Sequence, residues 1–361
     1  MINVTKTYLP PIEKYKEYID KIYAAGWITN NGQYTKMLEK SLAGWLKVKY
    51  IVLVNNGTMA LQIAYKLLEI KGEVITTPFS FVATTSSMVW EGLKPVFVDI
   101  DPKTLCINYS KIEEKISDKT SAIVPVHVFG NGCEVEEIDR IAKEYNLKVI
   151  YDAAHAFGIN YREQSILNYG DISVLSFHAT KLFHTIEGGA LIFNDKKLYD
   201  KAKRMINFGI TGPETLEELG INAKMNEFQA AMGLCVLDDL NYIIEKRKKI
   251  FEFYVESFKN NKLIKLQEYN KNCNYNYSYF PIIFENEQVL KRVKSKLEEN
   301  EIYPRRYFYP SLDTLNYVES NFMQISNDIS KKILCLPISD ELKHETLSKI
   351  TKIIMNNLDG R

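Results

Sequence analysis

Between Tyr50 and Phe193 the chain keeps returning to one pattern, a short β-branched run, then a turn, then an apolar-periodic stretch. IVLV is followed by NNG and TMALQIAYKLLEI, EVITT by FVATTSSMVWEG, and SAIVPVHVFG by EVEEIDRIAKEYN. KPVFVDI precedes a charged stretch near Ser110 that reads as a further helix, and KVIYD leads into AAHAFG. Strands alternating with helices require crossover connections. They therefore build a mainly parallel, doubly wound α/β sheet with helices on both faces. Such sheets take ligands beyond the carboxyl ends of their strands, and the polar clusters of this sequence fall at those ends.

The alternation gives way near residue 225 to one long helical segment, MNEFQAAMGLCVLDDLNYIIEKRKKIFEFYVESF. Beyond Asn260 come a Tyr-rich strand, NYSYFPIIF, a helix, VLKRVKSKLEEN, the strand ILCLPI and a last helix. The reading is a large domain over 1–240 and a smaller C-terminal α/β domain over 241–361. The large domain includes an N-terminal helix from Ile12 to Ala24 and a turn-like GWITNNGQYT. A formal net charge of +1 argues against a nucleic-acid partner. No apolar run reaches bilayer length, and the first residues lack the apolar region of a secretory signal. Five scattered cysteines without a Cys-x-x-Cys pair predict neither a metal site nor a disulfide framework, and suit the cytoplasm.

Three segments carry chemistry. In NNGTMAL a strand stops at a glycine turn and a helix starts at once, so Gly57 and Thr58 sit where exposed N–H groups and the helix dipole favour a phosphate. A capped helix after a tight turn fits the same letters, and neither G-x-x-x-x-G-K-[ST] nor G-x-G-x-x-G is present. In VIYDAAHAFG, Asp152 follows a buried strand, where an isolated carboxylate costs several kcal/mol. It is either an N-cap or the partner of a cationic ring nitrogen, with His155 facing the same pocket or serving the fold. In SFHATKLFHTIEGG, Lys181 lies between two apolar runs, five residues after Ser176. A desolvated lysine there becomes a nucleophilic amine. Amine, carboxylate and phosphate cradle together describe pyridoxal 5′-phosphate: lysine forms the Schiff base, aspartate keeps the pyridinium protonated, and the helix N-terminus takes the phosphate.

At this point the sequence resembles the DegT-type (DegT/DnrJ/EryC/StrS) nucleotide-sugar aminotransferases of the aspartate-aminotransferase fold, fold type I. The matching words are GWITNNG, NNGTMAL, PFSFVATTSS, KPVFVDID, VPVHVFG, DAAHAFG, SFHATKLFHTIEGGA and KMNEFQAA, in family order from residue 27 to 233, with PRRYFYPSL extending the match. The resemblance implies that Lys181 carries the cofactor and Asp152 pairs with its ring nitrogen. It implies further that Phe81 stacks on the ring and that Gly57, Thr58 and Ser176 bind the phosphate. His155 stands where some members have glutamine and would sit near the phenolic oxygen. Asn226 would reach the phosphate of the other subunit of a homodimer with shared sites, or else cap the long helix. Glu187 would lie near the sugar. His184 is given no role beyond lining the pocket.

The resemblance also implies a reaction. L-Glutamate donates its amino group, pyridoxamine 5′-phosphate and 2-oxoglutarate form, and a nucleotide-linked ketosugar accepts the amine in ping-pong order. EGG after the lysine resembles members acting at C4 of 4-keto-6-deoxy sugars, and GDAG those acting at C3. The expectation is C4 transfer to dTDP-4-keto-6-deoxyglucose for a surface glycan of the O-antigen or lipopolysaccharide kind. Alternatives are C3 transfer, a UDP- or GDP-sugar, a dehydratase (a class that carries histidine where this chain keeps Lys181) and a non-catalytic binding protein. Arg305, Arg306 and Tyr309 are candidates for the pyrophosphate or nucleotide, or else form a surface pair. Trp27, Thr29 and Asn30 are candidates for the sugar pocket.

Overall fold

A computed structural model describes residues 1–319 and 321–359. The repeated pattern becomes a seven-stranded sheet of β1 (Tyr50–Val54), β2 (Glu73–Thr76), β3 (Lys94–Phe97), β4 (Thr120–Val124), β5 (Lys148–Asp152), β6 (Ile172–Ser176) and β7 (Gly189–Phe193). Their spatial order is β1-β7-β6-β5-β4-β2-β3. The pairs β3–β2, β2–β4, β4–β5 and β5–β6 are parallel, and only β7 runs against its neighbours β1 and β6. Strands such as IVLV and GALIF are buried on both faces, which is why they read as unbroken apolar runs.

Helices cover both faces. They are α1 (Ile12–Ala25), α2 (Gln33–Leu46), α3 (Gly57–Leu67), α4 (Val82–Trp90), α5 (Val135–Glu144), α6 (Lys196–Met205) and α7 (Glu227–Phe258). Ile51 and Leu53 point into one core with α2, α5 and the first half of α7, while Val52 and Val54 point into the other with α3 and α6. The alternation follows from the pleat.

The expected domain boundary at 240/241 falls inside the unbroken 32-residue α7. Leu240 and Ile243 belong to the large core, and Ile250, Tyr254 and Phe258 to the core of the C-terminal unit. That unit holds an antiparallel sheet of Ile264–Leu266, Phe280–Phe284 and Ile333–Leu336. Ile2–Asn3 pairs in parallel with Ile302–Tyr303, so the first residues join the C-terminal unit rather than the large domain assigned to them.

Three local expectations shift. Near Ser110 the chain makes two single 3-10 turns, Tyr109–Lys111 and Glu113–Lys115, instead of a helix. KIEEKISD has only Ile112 buried there, too narrow an apolar stripe to hold a helix down. α2 begins at Gln33, inside the segment read as a turn. Of NYSYFPIIF only Phe280–Phe284 is strand.

Candidate active site

The carboxyl ends of β1, β5 and β6 converge on a cavity of about 260 Å³. At its rim α3 begins directly after β1. The Asn56 side chain caps it, accepting from Met59 N at 2.8 Å. The N–H groups of Gly57 and Thr58, in the first turn, have no intrahelical acceptor and are available to an anion. A Cβ on Gly57 would lie 3.0 Å from that of Ser176, so glycine is what lets α3 and β6 close on one another. Gly189 plays the matching part for β7, since a Cβ there would meet the Asn56 carbonyl carbon at 2.7 Å.

Asp152 ends β5 at the cavity floor and is buried. Its Oδ2 accepts from Thr84 Oγ1 at 2.7 Å and its Oδ1 from the Ala154 N–H at 3.1 Å. Burial raises its pKa, opposed by those two hydrogen bonds and by Lys181. A buried carboxylate with no cation in hydrogen-bonded contact is costly unless a positive group completes it.

Lys181 sits in the loop between β6 and β7. The loop is closed by Phe177 N to Gly188 O at 2.8 Å and Thr185 N to Phe177 O at 3.0 Å. Phe183 stacks on Phe157 at 4.8 Å and meets Phe177 edge-on at 4.9 Å, which pins the loop to the core. Burial pushes the Lys181 ammonium down to about 8, with Asp152 pulling the other way. His155 is also buried, and that burial, with Lys181 adding to it, holds its pKa well below the ordinary value. Its Nδ1 accepts from Phe129 N at 3.2 Å, which places the proton of the neutral ring on Nε2.

The sequence matches the DegT/DnrJ/EryC1/StrS aminotransferase family over residues 12–355. The chain belongs to that family. It is 45% identical over 98% of each chain to the dTDP-4-amino-4,6-dideoxy-D-glucose transaminase of Shigella dysenteriae, and 42% identical over 99% of each to that of Escherichia coli. A solved structure of DesI in the presence of its TDP-sugar product superposes with a TM-score of 0.94 at 27% identity, covering 100% of this chain and 94% of that one. The protein is therefore a pyridoxal-phosphate-dependent aminotransferase of fold type I. Its cavity fits the cofactor: a helix N-terminus cradle, a buried carboxylate with no hydrogen-bonded cation among the described residues, a half-exposed aromatic, Phe81, and a desolvated lysine share one space.

Of the residues expected at the site of this aminotransferase, Gly57, Thr58, Phe81, Asp152, His155, Ser176, Lys181, Glu187 and Arg305 all line that cavity. Glu187 Oε1 lies 3.6 Å from His178 Nε2 at the mouth. Arg305 and Arg306 part company because successive side chains on extended backbone face opposite ways. The Arg305 guanidinium lies 4.6 Å over Tyr307, whereas Arg306 turns to Glu287 at 2.9 Å and stacks 3.7 Å from the Tyr309 ring. Arg306 and Tyr309 thus stand outside the cavity of their own chain.

Trp27, Thr29 and Asn30 are exposed on the surface before α2. Asn226 caps α7 in a reciprocal capping box with Gln229. His184 does not line the cavity, because its Nε2 donates to Tyr8 O at 2.7 Å while its Nδ1 accepts from Ile186 N. It holds the N-terminal segment. Thr84, Ser80, His178, Tyr279, Tyr307 and Phe308 were not anticipated. Thr84 was findable, lying three residues after Phe81, the N-cap residue of α4, in the first turn of that helix. Tyr279 comes from the C-terminal unit, 98 residues beyond Lys181, and no local pattern marks it.

Proposed function

We propose that the protein transfers the amino group of L-glutamate to C4 of dTDP-4-keto-6-deoxyglucose, giving dTDP-4-amino-4,6-dideoxyglucose for a surface glycan. The observation that carries this reading is the 45% identity to a transaminase of that name over 98% of the chain, joined to an intact Lys181–Asp152 cavity. When bound, pyridoxal phosphate supplies an electron sink for the pair released at the donor's α-carbon. Gly57, Thr58 and Ser176 hold its phosphate, Asp152 its ring nitrogen and Phe81 its ring face. The depressed pKa leaves a substantial neutral fraction of the Lys181 amine near pH 8, able to take the α-proton and return it. Neutral His155 offers its Nε2–H to an oxygen in the cavity. Glu187 and Arg305, at the mouth, meet the sugar and its diphosphate; Arg306 and Tyr309 brace the same segment.

Two chains complete the site in this reading. Trp27, Ile28 and Phe208 are 58%, 53% and 50% exposed around the α7 N-terminus, where Glu227 N donates to Ile28 O and Lys224 lies 5.3 Å from the Phe208 ring. An apolar surface of that kind suits a homodimer. Trp27, Thr29, Asn30 and the free amide of Asn226 then reach the partner's cavity. The five free thiols, four of them buried, fit a reducing cytoplasm, and no helix among the described residues is long and apolar enough to cross a membrane.

The deciding assay measures 2-oxoglutarate released from glutamate with dTDP-, UDP- and GDP-linked 4-keto-6-deoxy sugars and with the 3-keto isomer. Turnover confined to the dTDP-4-keto sugar is expected. Turnover confined to the 3-keto isomer would overturn the regiochemistry, and none with any acceptor would overturn the function.

A further inference from the structure

Among the described residues the unanticipated Tyr279 is the one side chain hydrogen-bonded to the Lys181 amine. Its hydroxyl lies 3.4 Å from Nζ, and among the described residues neither atom has another hydrogen-bond partner. The contact is made from the C-terminal unit. Tyr279 immediately precedes the middle strand of the small sheet, and the segment before it is clamped to the loop that carries His155. Asn276 Nδ2 donates to His155 O at 2.8 Å and to Phe157 O at 3.0 Å, and Asn276 Oδ1 accepts from Ser278 N at 3.2 Å. The Tyr279 ring rests 4.5 Å from the His155 ring and meets Tyr307 edge-on at 5.9 Å. Arg247, buried on α7, donates to Ser278 O at 3.3 Å, next to it.

We propose that Tyr279 is a positioning residue for Lys181, its hydroxyl holding the amine over the cavity while the amine is free to move a proton. The proposal rests on the aminotransferase reading. A four-carbon stem leaves the lysine many rotamers, and a single fixed partner selects one of them. In the proton transfer the donor's α-C–H bond breaks, an N–H bond forms on Lys181, and the electron pair stays with the carbon. The hydroxyl accepts from the ammonium so produced. Burial and nearby Cys335 raise the Tyr279 pKa while Arg247 and Arg305 lower it, with a net rise that keeps the phenol neutral throughout. Asp152 and His155 are the other titratable groups close to the amine.

The test compares Tyr279→Phe, which keeps the ring on His155, with Tyr279→Leu, which does not. In the full chain stripped of cofactor, the pH dependence of Lys181 acetylation by acetic anhydride is followed by peptide mass spectrometry. Loss of an acceptor from a buried ammonium should lower the midpoint in Y279F by about half a pH unit. In the loaded enzyme, single-turnover conversion by glutamate should slow roughly ten- to hundredfold with little change in KM, and α-deuterated glutamate should show a larger isotope effect. An unmoved midpoint with a wild-type rate in Y279F overturns the proposal, and impairment confined to Y279L overturns it too, since ring packing alone would explain that. If wild type is not converted by glutamate at all, the aminotransferase reading fails. The acetylation midpoints then still decide whether Tyr279 positions the lysine.

Discussion

Lys181 is costly to the fold in its charged form, and that cost has a measurable signature. Its pKa falls from 10.5 to about 8 on folding. Between those values the unfolded chain binds a proton that the folded chain does not, so this group makes stability rise with pH across that window. Replacing it with methionine should stabilise the cofactor-free protein by a margin that grows as pH falls from 10.5 to 8. Below that the margin should level off, at a size on the order of 3 kcal/mol. Urea melts of both proteins at several pH values would show a pH-independent margin if the lysine were not desolvated. Lys181→Ala should also abolish turnover, and borohydride treatment with pyridoxal phosphate should label wild type at position 181 and leave the variant unlabelled there. Thr84 bears on the carboxylate. Thr84→Val removes the 2.7 Å hydrogen bond to Asp152 at nearly constant volume, and should weaken pyridoxamine phosphate binding roughly tenfold. Unchanged affinity by fluorescence titration would mean that Ala154 N–H alone suffices.

Elements, rather than single side chains, decide where these groups point. α7 is the chief example, because its first half packs in the large core and its far half builds another. Its first residue, Glu227, is buried and accepts from Tyr34 N and Thr35 N, tying the start of α2 to the start of α7. Asn226 next to it has a cap's duty and the proposed duty to a partner's phosphate, and two substitutions separate them. Asn226→Ala should cost about 1 kcal/mol in a denaturant melt, while Asn226→Ser keeps a capping oxygen and most of that stability. Both should weaken phosphate-dependent cofactor binding if the amide crosses to the partner. A normal affinity in the serine variant would reduce Asn226 to a cap.

At the scale of the whole molecule, the sheet and the C-terminal unit both contribute to one cavity, and the proposed second chain would complete it. Sedimentation should give a species of two chains. Mixing Lys181→Ala chains with Trp27→Ala/Asn226→Ala chains should restore part of the activity lost by each, since a hybrid dimer then has one site built wholly from unaltered residues. No recovery on mixing would argue for sites complete within one chain.

The alternation of β-branched runs with amphipathic stretches determined the doubly wound sheet, because period and burial on both faces are properties of the local sequence. Gly57, Asp152, Ser176 and Lys181 were legible for the same reason, each lying at or just past the carboxyl end of a recognisable strand. The charged stretch near Ser110 misled because its letters suit a helix, while Ile112 alone is buried there and gives too narrow an apolar stripe to hold one. What only the tertiary structure decided were the relations across distance in the chain. Tyr279 was brought to Lys181, Arg305 was divided from Arg306, His184 was spent on Tyr8, and Ile2–Asn3 was joined to Ile302–Tyr303. A hydrogen bond between residues 98 positions apart leaves no period in the sequence; it exists because two units close over one cavity, and which side chains meet there is set by packing.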